Sequence, residues 1–240
     1  MINNKKLINN LILIGGGIMR KGETEKIDRW MLERIRNKKK VKKPKVLFVP
    51  SASEDLKEYV QDFTKRYQSY GATVKSLFLV KETPLQAKVK KSFINADLIY
   101  FGGGDANLLL GTFRKFDLES SCIKAVENDS VISGLSAGAI IWGEKFLTFD
   151  RRGNKFVNFR IENGLGWIDK LIIPHFDPSM LKNKKVSNLL IKSNLNLETL
   201  AIGNGTAAYW KDKSTPLFKK QKELCLGISL SIKDLIQKYE

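Results

Sequence analysis

Short apolar runs alternate with longer amphipathic stretches along this chain. Residues 11–14, 46–49, 74–80, 97–101 and 131–134 are short stretches rich in Val, Ile, Leu and aromatic residues and closed by turn formers. Such runs predict buried strands. Between them, residues 24–37 carry Ile27, Trp30, Met31 and Ile35 at near-helical spacing. Residues 54–70, opened by the capping stretch Pro50-Ser51-Ala52-Ser53, predict a second helix. Residues 108–113 and 122–128 read as helical, and 137–142 as the start of a helix. Strands separated by helices imply βαβ units and a parallel sheet covered on both faces. The expectation is therefore a three-layer α/β/α fold with a mostly parallel sheet. Ligand sites in such folds gather at the carboxyl ends of the strands. No internal repeat and no Pro/Ser-rich break divides the chain, so one domain over 1–240 is expected.

Composition changes this picture little. Apolar residues are 42% and charged residues 28% of the 240, ordinary for a globular protein. Cys122 and Cys225 cannot make a disulfide framework and read as small buried apolar residues in a reducing compartment. One His with scattered Cys argues against a His/Cys metal cluster. The stretch from Leu7 to Ile14 is interrupted by Asn9-Asn10 and predicts a short strand rather than a signal peptide. No run approaches the ~20 apolar residues of a membrane span, and a cytoplasmic location is expected.

The net charge is +17, which invites a nucleic-acid reading. Its source weakens that reading. The 42 basic residues are 33 Lys and only 9 Arg, beside 16 Asn, a bias spread over surfaces. Nucleic-acid readers favour Arg for bidentate contacts. The densest run, residues 37–45, reads as a solvated loop, with an anion-binding patch as the competing reading.

The sharpest chemical signal is Gly134-Leu135-Ser136-Ala137-Gly138, a G-x-S-x-G placed where a strand meets a helix. That context suits a nucleophile elbow. The tight turn strains the central residue, needs small neighbours, and offers backbone N–H groups, chiefly that of Ala137, to an oxyanion. A helix-capping Ser is the plain alternative. The one His, His175, follows the apolar run of residues 171–174 and so also belongs at a strand's carboxyl end. It is the candidate base. A carboxylate should orient the imidazole. Glu144, Asp150, Glu162, Asp169 and Asp177 are candidates, and the spacing does not choose among them. A second glycine cluster, Gly102-Gly103-Gly104, follows the run at 97–101 and could supply a further oxyanion donor. An ordinary turn is its alternative, and it lacks the endings of a phosphate-binding loop.

These residues resemble the peptidase E group, family S51, the serine peptidases that include aspartyl dipeptidase and, more distantly, cyanophycinase. The resemblance rests on Ile14-Gly15-Gly16-Gly17, Phe101-Gly102-Gly103-Gly104, Gly134–Ala139, Ile173-Pro174-His175-Phe176 and the stretch from Ala201 to Ala207, in the family's order. It implies a flavodoxin-like fold related to class I glutamine amidotransferases, with Ser136 as nucleophile and His175 as base. Asp150 falls where the family's acid tends to lie, with Glu144 and Glu162 as weaker claims. Ala137 with Gly103 or Gly104 would give the oxyanion amides. The chain departs from the family at three places. Asp105-Ala106 replaces the usual Asn-Thr, which disfavours an acidic P1 side chain. The stretch 151–155 is basic. Asn204 stands where many members have an acidic residue. Asp105, Asn107 and Arg151 are the candidate substrate contacts, and Arg152 or Arg160 could also pair with a substrate carboxylate.

The expected activity is hydrolysis of small peptides by a Ser-His-Asp/Glu triad, with no cofactor. The expected partner is a small peptide, with a homodimer as a further possibility; neither membrane nor nucleic acid is expected. Two rivals stand beside it. An α/β-hydrolase esterase shares the elbow, but its His usually lies near the chain end, whereas 65 residues follow His175. A non-catalytic anion- or nucleic-acid-binding protein on a hydrolase-like fold is the other.

Overall fold

A computed structural model describes residues 4–153, 155–193, 196–211, 216–221 and 227–239. Cys225 and Asn154 lie outside the described residues, as does the side chain of Arg151.

The apolar runs become strands and the amphipathic stretches helices. The order is α1 (Asn4–Asn9), β1 (Leu11–Ile14), α2 (Glu25–Lys39), β2 (Lys45–Val49), α3 (Lys57–Ser69), β3 (Thr73–Ser76), α4 (Gln86–Ile94) and β4 (Leu98–Phe101). There follow α5 (Ala106–Phe116), α6 (Leu118–Glu127), β5 (Val131–Leu135), α7 (Ala137–Ile140), β6 (Gly143–Arg152), β7 (Lys155–Asn163) and β8 (Ile168–Pro174). The chain closes with α8 (Lys184–Lys192), β9 (Glu198–Ile202), β10 (Thr206–Tyr209), β11 (Leu217–Lys220), β12 (Gly227–Ser231) and α9 (Ile232–Tyr239). The third strand is shorter than its apolar run suggests. It ends at Ser76, and Asp55 accepts from the amides of Val80 and Lys81 beyond it. The second helix starts at Lys57, because residues 51–53 form a separate 3-10 turn.

Strands β1, β5, β4, β2 and β3 are parallel neighbours, extended past β1 by antiparallel β10 and β11. This is the expected, mostly parallel sheet. Strand β1 already has β5 on one side and β10 on the other, so β8 cannot join it. Instead β8 anchors a second, five-stranded sheet in the order β12-β9-β8-β6-β7. Its β6–β8 and β8–β9 pairs are parallel, and its edge pairs β6–β7 and β12–β9 antiparallel. The fold is α/β, with helices flanking two largely parallel sheets.

One apolar cluster joins the two sheets: Leu13, Phe101 and Ile132 of the first meet Phe146, Ile172 and Leu200 of the second. Trp142 is fully buried at this junction, against Phe101, Phe113 and Trp167 at ring distances of 5.6, 5.6 and 4.7 Å. On the other face of the first sheet, Phe63 of α3 is stacked between Phe48 and Tyr67 at 3.9 and 4.2 Å. Truncating a ring so enclosed costs about 3–5 kcal/mol. The sheets are thereby held firmly enough for their strand ends to serve as fixed mounts.

Candidate active site

Ser136 leaves the end of β5 with φ +52° and ψ −110°, and α7 begins at the next residue. A side chain at positive φ carries backbone strain of about 1–3 kcal/mol. The neighbours explain why the turn is built from glycine. A Cβ on Gly134 would lie 2.0 Å from the carbonyl oxygen of Gly138, and one on Gly138 would lie 2.2 Å from that of Phe101. The turn projects Ser136 Oγ to 2.7 Å from His175 Nε2.

His175 follows β8 and is also at positive φ, +50°. Its ring faces Phe149 and Phe156 of the β6–β7 hairpin at 5.9 and 5.6 Å. On its far side, Nδ1 is 2.7 Å from Oδ1 of Asn204, in the turn between β9 and β10. A ring protonated on Nδ1 donates to Asn204 and leaves Nε2 to accept the Ser136 hydroxyl proton. The group found on Nδ1 is therefore an amide.

The carboxylates considered from spacing are engaged elsewhere. Asp150 lies opposite Val157 in the β6–β7 hairpin. That register carries it to Arg160, at 3.0 Å, and to the Asn158 amide, which donates at 2.8 Å. Arg160 and Asn158 hold its carboxyl below the usual carboxylate range. Asp150 thus reaches the cleft as half of an ion pair, rather than on the imidazole as the resemblance implies. Glu162 also pairs with Arg160, at 3.3 Å. Asp177 turns back to accept from the Ser179 amide. Glu144 and Asp169 are exposed strand residues.

Strand β1 supplies the frame that aligns these groups. The carbonyl of Ile14 accepts from the Ser136 amide at 2.9 Å, and that of Gly15 from the His175 amide at 3.0 Å. The carbonyl of Gly16 accepts from the Gly205 amide at 2.9 Å, beside Asn204. Three consecutive carbonyls thus hold the three segments that carry Ser136, His175 and Asn204. Gly15 and Gly16 are required by proximity. A Cβ on Gly15 would lie 2.1 Å from the Ile202 oxygen, and one on Gly16 2.2 Å from both Nδ1 of His175 and Oδ1 of Asn204.

Ser136 opens onto a cleft of about 730 Å³. Gly103 and Gly104 form part of its wall, and a Cβ on Gly103 would approach Ser136 Cβ to 3.5 Å. The Gly103 amide donates to the hydroxyl of Tyr59, at 3.4 Å. Ala137 is the first residue of α7, where amides have no intrahelical acceptor. Asp105 and Asn107 line the cleft. Asp105 caps α5, its Oδ1 accepting from the amides of Asn107 and Leu108 at 2.7 and 3.0 Å. Of the basic run at 37–45, Lys38 pairs with Asp129 and Lys39 with Asp97. Among the described residues, no group of three or more His, Cys, Asp or Glu is placed to hold a metal ion, and no helix is long and apolar enough to cross a membrane.

Sequence reasoning missed Asn204 as the partner of Nδ1, Tyr59 beside the glycine loop, and the aromatic pair Phe149 and Phe156. Asn204 was visible as a departure from an acidic position. The pattern Phe146, Thr148, Asp150 against Phe156, Asn158, Arg160 could have marked the hairpin.

A Bacillus subtilis (strain 168) protein named "Uncharacterized peptidase YgaJ" is 30% identical over 163 residues; the match covers 68% of this chain and 66% of that protein, just under two thirds of its length. A putative peptidase E from Listeria monocytogenes EGD-e superposes with a TM-score of 0.62 at 19% identity, over 89% of this chain and 99% of that one. A peptidase from an acI-B1 actinobacterium gives 0.68 at 19% identity, over 93% and 94%. The sequence profile of peptidase family S51 matches residues 11–217, a span that holds every residue lining the cleft, and this chain belongs to that family.

Proposed function

We propose that the protein is a serine peptidase that hydrolyses small peptides in this cleft. The observation that carries the reading is the 2.7 Å contact between Ser136 Oγ, on a strained strand-to-helix turn, and His175 Nε2. In this mechanism Ser136 Oγ attacks the scissile carbonyl carbon while His175 Nε2 takes the hydroxyl proton. The carbonyl oxygen becomes an oxyanion, held by the Ala137 amide and the Gly103–Gly104 loop. Collapse of the tetrahedral intermediate breaks the C–N bond, and the imidazolium gives its proton to the leaving amine. Water, deprotonated by His175, then hydrolyses the acyl-enzyme and restores Ser136.

Asn204 fixes the tautomer and the ring orientation. As a neutral group it offers the imidazolium a dipole in place of a full negative charge, so turnover is modest beside a carboxylate-assisted triad. The cleft volume suits a ligand of a few residues. Arg160 is held by Asp150 and Glu162, and Asp105 stands beside the glycine loop. Both features disfavour an acidic side chain at P1.

A fluorophosphonate probe followed by a panel of dipeptides and short-chain esters tests the reading. Covalent labelling at Ser136, abolished in Ser136→Ala, with release of amino acids from dipeptides, is the expected result. Absence of labelling in folded protein removes the serine mechanism. Ester turnover without dipeptide turnover assigns an esterase instead.

A further inference from the structure

Tyr59 sits on the first turn of α3, away from every glycine motif, yet its hydroxyl reaches the wall of the cleft. The side chain is fixed from several sides. Its ring packs edge-on against Phe48 at 5.1 Å, and a Cβ on Gly102 would approach its Cε1 to 3.0 Å. Phe48 is in turn stacked on Phe63. The hydroxyl oxygen accepts from the Gly103 amide at 3.4 Å, and among the described residues no acceptor is found for its own proton. The hydroxyl lines the open cleft, so its proton can be offered to a molecule bound there. The same cleft wall carries Ser136, whose Cβ lies close to Gly103.

We propose that Tyr59 is a catalytic residue of this site: its hydroxyl donates the hydrogen bond by which the glycine loop holds the oxyanion. The chain of donors runs from the Gly103 N–H to the Tyr59 oxygen, and from the Tyr59 O–H to the substrate oxygen. Each bond in such a chain polarises the next, so the amide makes the phenol a better donor. The loop amide therefore acts through Tyr59, while Ala137 acts directly. Burial pushes the phenol up to about 12, which keeps it protonated across the pH range in which His175 can work. A rigid ring needs no reorganisation as charge develops on the substrate, which is the condition for large electrostatic stabilisation. The inference rests on Ser136 being the nucleophile and names one more group acting on the same oxygen.

The test is Tyr59→Phe, which removes one oxygen and keeps the ring against Phe48 and Gly102. In labelling by a fluorophosphonate, Ser136 Oγ attacks phosphorus through a five-coordinate centre and expels fluoride, and the phosphoryl oxygen occupies the place of the oxyanion. The second-order rate constant of labelling should fall about 100-fold in Tyr59→Phe, the usual effect of losing one oxyanion donor, with the thermal midpoint unchanged. Any dipeptide turned over should show the loss in kcat, with KM little altered. Labelling at the unaltered rate overturns the inference while leaving the serine mechanism standing. Slower labelling with a clearly lowered thermal midpoint also overturns it, giving Tyr59 a packing role. No labelling of the unaltered protein overturns the serine mechanism and this inference together.

Discussion

Replacing Gly16 by Ala adds one carbon at the point where the imidazole meets its orienting amide. The backbone of Gly16 is not at positive φ, so the substitution brings contact without conformational strain. The new Cβ would lie 2.2 Å from both His175 Nδ1 and Asn204 Oδ1, where ordinary contact begins at 3.4 Å. The shortfall is 1.2 Å on both atoms. They are only 2.7 Å apart, joined by a hydrogen bond, and the added carbon wedges between them. Either the imidazole swings away from Asn204 or both side chains retreat, and each movement carries Nε2 away from Ser136 Oγ. A misplacement of about 1 Å at a reacting group costs about 100-fold in rate. Overpacking of this kind costs about 1–3 kcal/mol in stability, which leaves the fold standing. The assay is the fluorophosphonate labelling rate of Ser136, read beside the thermal midpoint. Gly111→Ala, in α5, is the control: nothing lies within 4 Å of its Cβ, so labelling should be unchanged and stability slightly raised. Labelling of Gly16→Ala at the unaltered rate would refute the alignment of His175 by Asn204.

Asn204→Asp places a carboxylate on Nδ1, so labelling at neutral pH should rise and the acidic limb of its pH profile should move to higher pH, because an adjacent anion raises the imidazole pKa; Asn204→Ala should label more slowly at every pH. Asp150→Ala should keep the labelling rate within a few-fold, since Asp150 bonds Arg160 and Asn158; a fall of about 10⁴-fold, as for a lost triad carboxylate, would restore it as the acid. Asp28 is fully buried against Thr24 and Tyr67, and desolvation raises its pKa from 3.8 to about 7. A raised acid stabilises the fold in its protonated form, so this contribution is complete below pH 3.8 and is lost as pH rises toward 7. At about 1.4 kcal/mol per pKa unit the loss is up to about 4 kcal/mol. Urea midpoints between pH 4 and 8 should therefore decline more steeply in the unaltered protein than in Asp28→Asn, and equal slopes would contradict the burial argument.

The parts of the site that were legible in the sequence are those fixed by local sterics. Gly134 and Gly138 flank Ser136 because carbonyl oxygens lie about 2 Å from their absent Cβ atoms. Such close approach leaves glycine at set spacings, whatever the rest of the chain does. His175 was legible because the chain has one His and it follows an apolar strand. The partner on Nδ1 was not, because it depends on which strand lies beside which. Asn204 arrives 29 residues after His175, on a turn brought into place by β9 pairing with β8 and β10 with β1. Asp150 had the more suggestive spacing, but the register of one hairpin decides its neighbours. The second sheet escaped for the same reason. Nothing local in residues 143–163 states that the hairpin extends a sheet begun at β8.

The run of carbonyls at Ile14, Gly15 and Gly16 also governs how the site behaves in motion. Ser136, His175 and the Asn204 turn hang from adjacent peptide units of one strand end, so any drift of that strand is shared equally by all three. Breathing of the first sheet around that strand end becomes a common displacement that cancels in the two 2.7 Å separations. Only a movement of one member against the rail alters them. The reactive geometry is thus insulated from the slow deformations of the body that carries it.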